Sequence, residues 1–162
     1  MAYRKYTYHT GSVIEVVKTY GHRSNKKIKR QKNFRKTKDV QEKINEKRSK
    51  DHFRRLVNTN FGAKAMHVVL GFALEHRPVT RQQVRERTRK FFRKLKEVVE
   101  KSGKTLKYVF TTEYSNRSMH HHIIIKGATL EQIAELWPWG RPRATQLDRS
   151  GQYRKLSDYL LK

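Results

Sequence analysis

Three side chains with metal-binding chemistry fall close together on either side of a short polar turn. The segments flanking the turn at residues 115–118 are apolar or alternate between apolar and polar residues, which predicts a β-hairpin. A turn of this length sets a register in which Glu113 lies opposite His120. Because side chains alternate along a strand, we expect Glu113, His120 and His122 on one face of the hairpin.

Two imidazoles and one carboxylate on a shared face could hold a divalent cation. Histidines two residues apart on a strand stand roughly 7 Å apart at the backbone, so both rings can lean onto one ion. With Glu113 as third ligand, the ion keeps positive charge and open coordination positions, which suits polarisation of a phosphodiester oxygen. Because the chain has no cysteine, we expect Mg²⁺ or Mn²⁺ and no thiolate-bound zinc.

A competing interpretation treats the three consecutive histidines as buried structural residues. For an arbitrary protein that interpretation is the commoner one. The carboxylate opposite His120 favours the metal site instead. His121, on the apolar face of the hairpin, is expected in the core, and His67 is expected to be structural and not a ligand.

Apolar periodicity predicts the elements that must position this hairpin. Thr80 is expected to cap a helix that ends at Ser102-Gly103, and Thr129 is expected to cap a shorter one. The predicted order is a strand at 66–72, a helix at 80–102, strands at 105–114 and 119–125, a helix at 129–136, a strand at 143–147 and a helix at 151–162. This order predicts an α+β fold, an antiparallel sheet with helices packed on one face, of ferredoxin-like or RNA-recognition-like type.

The charge balance points to a polyanionic partner. Lysine and arginine number 39 against 14 aspartates and glutamates, a net charge of +25 that exceeds what solubility requires. No apolar run approaches the ~20 residues that span a bilayer, so we expect nucleic acid and no membrane. The lack of cysteine and of a signal-peptide pattern favours an intracellular, cytoplasmic protein.

Basic residues are concentrated near the N-terminus. Residues 22–55 hold 15 lysines and arginines against four acidic residues, and they contain few apolar side chains. We therefore predict a basic, partly helical N-terminal arm over residues 1–63 and an organised domain over residues 64–162.

Three blocks of the sequence, in order, resemble the motifs of a known superfamily. They are the first-strand segment Met66–Phe72, the run His120-His121-His122 followed by three isoleucines, and the tyrosine-to-lysine segment Tyr159–Lys162. With these blocks the chain resembles the HUH endonucleases, and among them the single-tyrosine initiators of rolling-circle replication in plasmids and phages. Glu113 matches the carboxylate that completes the metal site of that family. The middle residue of the run departs from the bulky apolar residue that is usual there.

The resemblance implies that residues 64–162 form an HUH catalytic domain in which Tyr159 attacks a DNA phosphate. The products would be a 5′-phosphotyrosyl link and a free 3′-hydroxyl that primes synthesis. Lys162, one helical turn beyond Tyr159, is expected to project to the same side and to steady the phosphate. Tyr153 is the less favoured nucleophile, because it points to a different side and no lysine follows three residues later.

The same resemblance implies single-stranded DNA at a replication origin as substrate, with a helicase and replication machinery as further partners. Because the chain stops directly after the tyrosine-to-lysine segment, we also expect it to be the catalytic part of a longer protein.

Four alternatives stay open. A relaxase usually carries its tyrosine near the N-terminus, where Tyr3, Tyr6 and Tyr8 occur without a tyrosine-to-lysine motif, and a transposase of this type tends to carry glutamine after the tyrosine. A non-catalytic, RNA-recognition-like binding module is disfavoured because the strand aromatics are expected on the helix-covered face. An iron oxygenase with two histidines and a carboxylate is disfavoured by the charge of +25.

Overall fold

The computed structural model describes residues 3–20, 39–114 and 119–161. The strands are β1 (Tyr3–Thr10), β2 (Val13–Tyr20), β3 (Met66–Gly71), β4 (Lys107–Tyr114), β5 (Met119–Lys126) and β6 (Arg143–Gln146). The helices are α1 (Asp39–Asn60), α2 (Arg81–Lys101), α3 (Leu130–Leu136) and α4 (Arg154–Leu160), with a 3₁₀ turn at Leu74–His76. No helix within these ranges is long and apolar enough to cross a membrane.

Four strands form an antiparallel sheet in the order β4-β5-β3-β6. From β3 to β6 the chain runs strand, helix, strand, strand, helix, strand, and β3 lies between β5 and β6. This is the ferredoxin-like arrangement, and it confirms the predicted α+β fold with an antiparallel sheet.

The hairpin that carries the candidate ligands has the predicted register. Glu113 of β4 lies opposite His120 of β5, and Thr111 lies opposite His122. The turn at 115–118 lies outside the described residues. Alternation along both strands then assigns the two faces of the sheet without further information.

One face of the sheet is covered by α2 and α3. Thr80 caps α2 as predicted, since its side chain accepts a hydrogen bond of 3.2 Å from the backbone N–H of Gln83. The buried residues of α2 recur at three- and four-residue steps, namely Val84, Thr88, Phe91, Phe92, Leu95 and Val99. They pack against Leu70 of β3 and Trp137 to form the main core.

The opposite face is covered in part by α1 and α4. A second apolar cluster joins Val57 of α1, Phe61, Ile124 of β5 and Leu160 of α4. The prediction of helices on one face therefore describes α2 and α3, while two more helices lie on the face that carries Glu113. The apolar residues of α4 are too few for periodicity to assign their side of the sheet.

A second, two-stranded sheet precedes α1 and was not predicted. Strands β1 and β2 pair through a two-residue turn in which Gly11 has φ +63°, as a type II′ turn requires. A side chain at Gly11 would collide with the carbonyl oxygen of Asn58, so the turn approaches the end of α1 closely. The alternation in residues 3–20 around Gly11-Ser12 was the available signal. The division of the chain into an arm at 1–63 and a domain at 64–162 stays a prediction.

One carboxylate ties the β1–β2 hairpin to α1. Glu15 accepts a 2.9 Å hydrogen bond from Nη2 of Arg54 and a 2.9 Å bond from Nε of Arg55. The guanidinium of Arg55 also lies over the ring of Tyr8, 3.6 Å from its centroid. The bond from Arg55, with that from Arg54, lowers the pKa of Glu15 to about 2, against the opposing effect of burial.

Replacing this carboxylate should loosen the β1–β2 hairpin from α1. We expect Glu15→Gln to lower the free energy of unfolding in urea by about 1–2 kcal/mol, because two partly buried guanidinium groups lose their anionic partner. The pKa of Glu15 is about 2 in the fold and 4.5 in the absence of these partners, so the stabilisation is complete above 4.5 and is lost as the pH falls toward 2.

The gap in stability between wild type and Glu15→Gln should therefore close across that pH range. Glu135→Gln, an exposed position on α3, is the matched control and should cost much less. A gap that stays constant as the pH falls would contradict the assignment.

Candidate metal centre

The three predicted ligands converge on one face of the sheet. Nε2 of His120 lies 3.4 Å and Nε2 of His122 lies 3.6 Å from Oε2 of Glu113. One ligand atom from each residue lies within 4.8 Å of the other two, and the two imidazole rings are nearly perpendicular at 78°. Donors bound to one ion at ~2.1 Å stand roughly 3–3.5 Å apart, so this set of nitrogen and oxygen atoms fits a divalent cation.

The cluster is open on one side and closed on the other. The side chain of Glu113 is 56% exposed, that of His120 is 21% exposed and that of His122 is 6% exposed. The outer strand β4 thus presents its carboxylate to solvent, while His122 is enclosed by its neighbours. A substrate can approach from the side of Glu113 and His120.

His122 has a further histidine behind it. Nε2 of His67 lies 3.2 Å from Nδ1 of His122, and the two rings are stacked with centroids 5.4 Å apart. Burial, and next the neighbouring His122, lower the pKa of His67, so its ring is held neutral. With Nε2 of His122 as a ligand atom, its Nδ1 carries the hydrogen and donates to His67.

This contact extends the sequence interpretation of His67. The residue is not one of the three clustered ligands, as predicted, but it touches one of them. It was missed because the pairing of β3 with β5, which brings His67 diagonally beside His122, depends on a long-range register. No local pattern near residue 67 encodes that register.

Tyr159 of α4 reaches the cluster. Its hydroxyl lies 3.4 Å from Nε2 of His122, the rings are 5.0 Å apart, and the residue is 41% exposed. The neighbouring Leu160 is buried in the second apolar cluster and anchors this part of α4. Lys162, the predicted companion of Tyr159, lies outside the described residues.

The competing tyrosine lies elsewhere. Tyr153 is 4% exposed, and its hydroxyl donates a 2.9 Å hydrogen bond to the carbonyl oxygen of Asp148. Burial, together with Asp148, raises the pKa of the Tyr153 phenol. The structure therefore brings Tyr159, and not Tyr153, beside the ligand cluster.

The middle histidine belongs to the core, as predicted. His121 is fully buried between Thr88 of α2 and Thr112 of β4, whose hydroxyl oxygens lie 3.1 and 2.9 Å from its two ring nitrogens. Burial, with smaller effects from the adjacent histidines, lowers its pKa to about 4. His121 is thereby removed from the set of candidate ligands.

Fold and site together define a class of protein: a ferredoxin-like α+β domain with a candidate His-His-Glu metal cluster and a tyrosine beside it. The family model described as replication-associated protein ORF2 matches residues 65–162, well over half of the chain. The chain belongs to this family of replication-associated proteins, which is consistent with the expected kinship to replication initiators and supports a role in DNA replication. No curated protein and no solved structure matches the chain.

The contact behind His122 generates a prediction. We expect His67→Ala to weaken the binding of Mn²⁺ by roughly 10–100-fold, because His122 loses the partner that fixes its ring and its tautomer. Isothermal titration calorimetry measures the affinity. His67→Gln keeps an acceptor and should recover part of the loss.

His76→Ala is the matched control, since this histidine is exposed in the 3₁₀ turn and no side-chain contact of its ring is seen in the described structure. Equal affinities for wild type and His67→Ala would show that His67 does not orient the ligand.

Proposed function

We propose that this chain is an HUH endonuclease that nicks single-stranded DNA at a replication origin and rejoins it through Tyr159. The observation that carries the proposal is the 3.4 Å approach of the Tyr159 hydroxyl to His122, within a cluster that also contains Glu113 and His120. A candidate nucleophile and a set of candidate metal ligands, carried by β4, β5 and α4, meet at one solvent-accessible place.

Glu113, His120 and His122 are the residues that would hold the cation. Mg²⁺ or Mn²⁺ bound there would polarise a phosphodiester oxygen and neutralise charge that develops on phosphorus. The donors suit such an ion, because one hard carboxylate and two imidazoles leave coordination positions for substrate oxygens. The exposure of Glu113 leaves room for a polymer that must enter and leave.

Tyr159 supplies the attacking oxygen. Its phenolic oxygen forms a bond to phosphorus after losing its proton to solvent, and the bond from phosphorus to the 3′ oxygen breaks. The departing oxygen takes up a proton and becomes a 3′-hydroxyl, while the 5′ side stays attached as a phosphotyrosyl ester. Attack by a 3′-hydroxyl on this ester reverses the step and seals a strand.

Positioning is the contribution of α4. A tyrosine hydroxyl is a weak nucleophile near neutral pH, so holding it beside the phosphate supplies much of the rate enhancement. Leu160 and Leu156 pack into or against the second apolar cluster and hold the helix on the sheet. Lys162 follows Tyr159 by three residues and is proposed to steady the phosphate.

Replication initiation is favoured over transposition and conjugative relaxation by the family to which the chain belongs. The net charge of +25 supports a DNA substrate and steep dependence of binding on salt. Within this proposal the chain nicks its origin, leaves a primer end, and works with a helicase and the replication machinery in the cytoplasm.

The nucleophile is tested by a single hydroxyl. We expect Tyr159→Phe to bind a single-stranded oligonucleotide as the wild type does and to form no covalent adduct on a denaturing gel with Mn²⁺ present. A pool of sequences is used as substrate because the origin is not specified. Tyr153→Phe, which keeps its buried ring, and Tyr20→Phe, on the exposed end of β2, should still form the adduct.

Adduct formation by Tyr159→Phe at the wild-type level would exclude this tyrosine. Loss of the adduct in Tyr153→Phe alone would move the role to that residue.

The ligands are tested separately. We expect His120→Ala and His122→Ala each to lower cleavage at least ~100-fold, because one of three ligands is lost. His9→Ala on β1 removes a histidine outside the cluster and serves as the control. Thermal unfolding identifies any variant that has lost its fold. Cleavage by the wild type that persists in EDTA would refute the metal requirement.

A further inference from the structure

A groove runs along the outer edge of the main sheet, between α2 and β4. Its volume is about 480 Å³, and it opens on the face opposite Glu113, His120 and His122. Because β4 is the outermost strand in the order β4-β5-β3-β6, no strand of the described structure lies beyond it. The α2 helix leaves this edge only partly covered.

The floor of the groove is aromatic. Tyr108, Phe110 and Tyr114 are alternate or near-alternate residues of β4, and they are 41%, 40% and 39% exposed. Residues two apart on a strand stand ~7 Å apart, so the rings form a row along the edge. The ring of Tyr108 is stacked on Phe92 at 3.9 Å and 6°, and Arg81 lies 4.8 Å from the centroid of Tyr114.

The wall of the groove is cationic. Arg85, Arg89, Arg93 and Lys96 follow one another along α2 at three- and four-residue steps, and all four line the groove. Lys96 is loosely paired with Glu100 at 3.7 Å. Among the described residues that line the groove, none is acidic. The stripe therefore presents positive charge beside the aromatic row over a length of roughly 16 Å.

Exposed rings beside a row of cations match the chemistry of single-stranded nucleic acid. Bases stack on aromatic side chains whatever their sequence, and phosphates pair with the neighbouring guanidinium groups. We propose that the groove binds a single-stranded flank of the DNA, with bases on Tyr108, Phe110 and Tyr114 and phosphates on the α2 stripe. The rings are already held by their neighbours, so little ordering is required on binding.

The groove and the metal cluster are joined by one peptide unit. Glu113 and Tyr114 are adjacent on the edge strand, and their side chains point to opposite faces. A strand with one phosphate beside Glu113 can therefore pass around the edge and continue into the groove. This inference rests on the proposed endonuclease function, to which it adds a binding site for the uncut flank.

Other occupants fit less well. A second copy of the chain would bring another charge of +25 to a cationic wall, and repulsion opposes that contact. An added strand from a protein partner would use the backbone of β4 but would leave the α2 stripe without anions. The strand aromatics lie on the helix-covered face as predicted, yet α2 leaves them about 40% exposed, so they remain available for stacking.

Photo-crosslinking locates the flank. Wild-type protein is incubated with oligonucleotides that carry 5-iodouracil at successive positions, then irradiated and digested with trypsin. We expect crosslinks in the peptide of residues 108–117, which contains Tyr108, Phe110 and Tyr114, with fragmentation assigning the bond to one of these rings. Crosslinks confined to other peptides would overturn the proposal.

Charge removal provides a second test. With EDTA present to prevent cleavage, we expect the variant Arg85→Gln/Arg89→Gln/Arg93→Gln to bind a fluorescent thymidine strand of about 20 nucleotides roughly tenfold more weakly. The slope of log affinity against log salt should become shallower by about 2, since three phosphate contacts are lost. The control Lys90→Gln/Lys94→Gln/Lys101→Gln removes the same charge from the exposed side of α2. Equal effects of the two variants would reduce the groove to a part of the general positive field and would contradict a specific site.

The stacking component is tested with an abasic strand of the same length. The wild type should bind the thymidine strand more tightly than the abasic one, and Phe110→Leu/Tyr114→Leu should narrow that difference about tenfold. An unchanged difference would remove the aromatic row from the site.

Failure of this inference is distinguishable from failure of the proposed function. A covalent DNA adduct on residues 156–162, the tryptic peptide with Tyr159, reports nicking. A photo-crosslink on residues 108–117 reports the flank. An adduct without that crosslink overturns only the groove, and a crosslink without the adduct overturns only the nuclease.

Discussion

The pairing of β4 with β5 is the constraint on which the rest of the site depends. It places Glu113 directly opposite His120, and alternation then gives His122 the same face while sending His121 to the other. A slip of one residue would send the ligands into the main core and His121 to the metal face. Two hydroxyl partners for the buried His121, on α2 and on β4, disfavour that slip, because they are available only in the observed register.

The two apolar clusters divide the tasks of the fold. The larger one fixes α2 and α3 on one face of the sheet and so holds β3, β4 and β5 rigidly. The smaller one fixes α1 and α4 on the other face and brings Tyr159 to His122. The catalytic proposal needs both, because a metal cluster on a rigid sheet is of no use without a nucleophile placed beside it. The edge strand β4 belongs to both faces, which lets one strand present a carboxylate to one side and aromatic rings to the other.

The ferredoxin-like part of the fold and the clustered ligands were accessible from the sequence because both follow from local periodicity. Capping threonines, helical spacing and a four-residue turn each act within a few residues, and together they predicted all six elements from β3 to β6 and the hairpin register. The β1–β2 hairpin was missed although its alternation is just as local, because its high content of basic residues made it resemble a solvated arm. The contact of His67 with His122 was not accessible at all.

By itself the sequence determined which residue types share a strand face, where helices begin and end, and that the partner carries negative charge. These properties depend on neighbours in the chain and on composition. The tertiary structure alone decided that His67 lies behind His122, that α4 carries Tyr159 to the ligands while Tyr153 is buried, and that α2 leaves the edge of β4 open. Each of these outcomes depends on how distant segments pack against one another, and the free energy of that packing is not encoded in any single stretch of the chain.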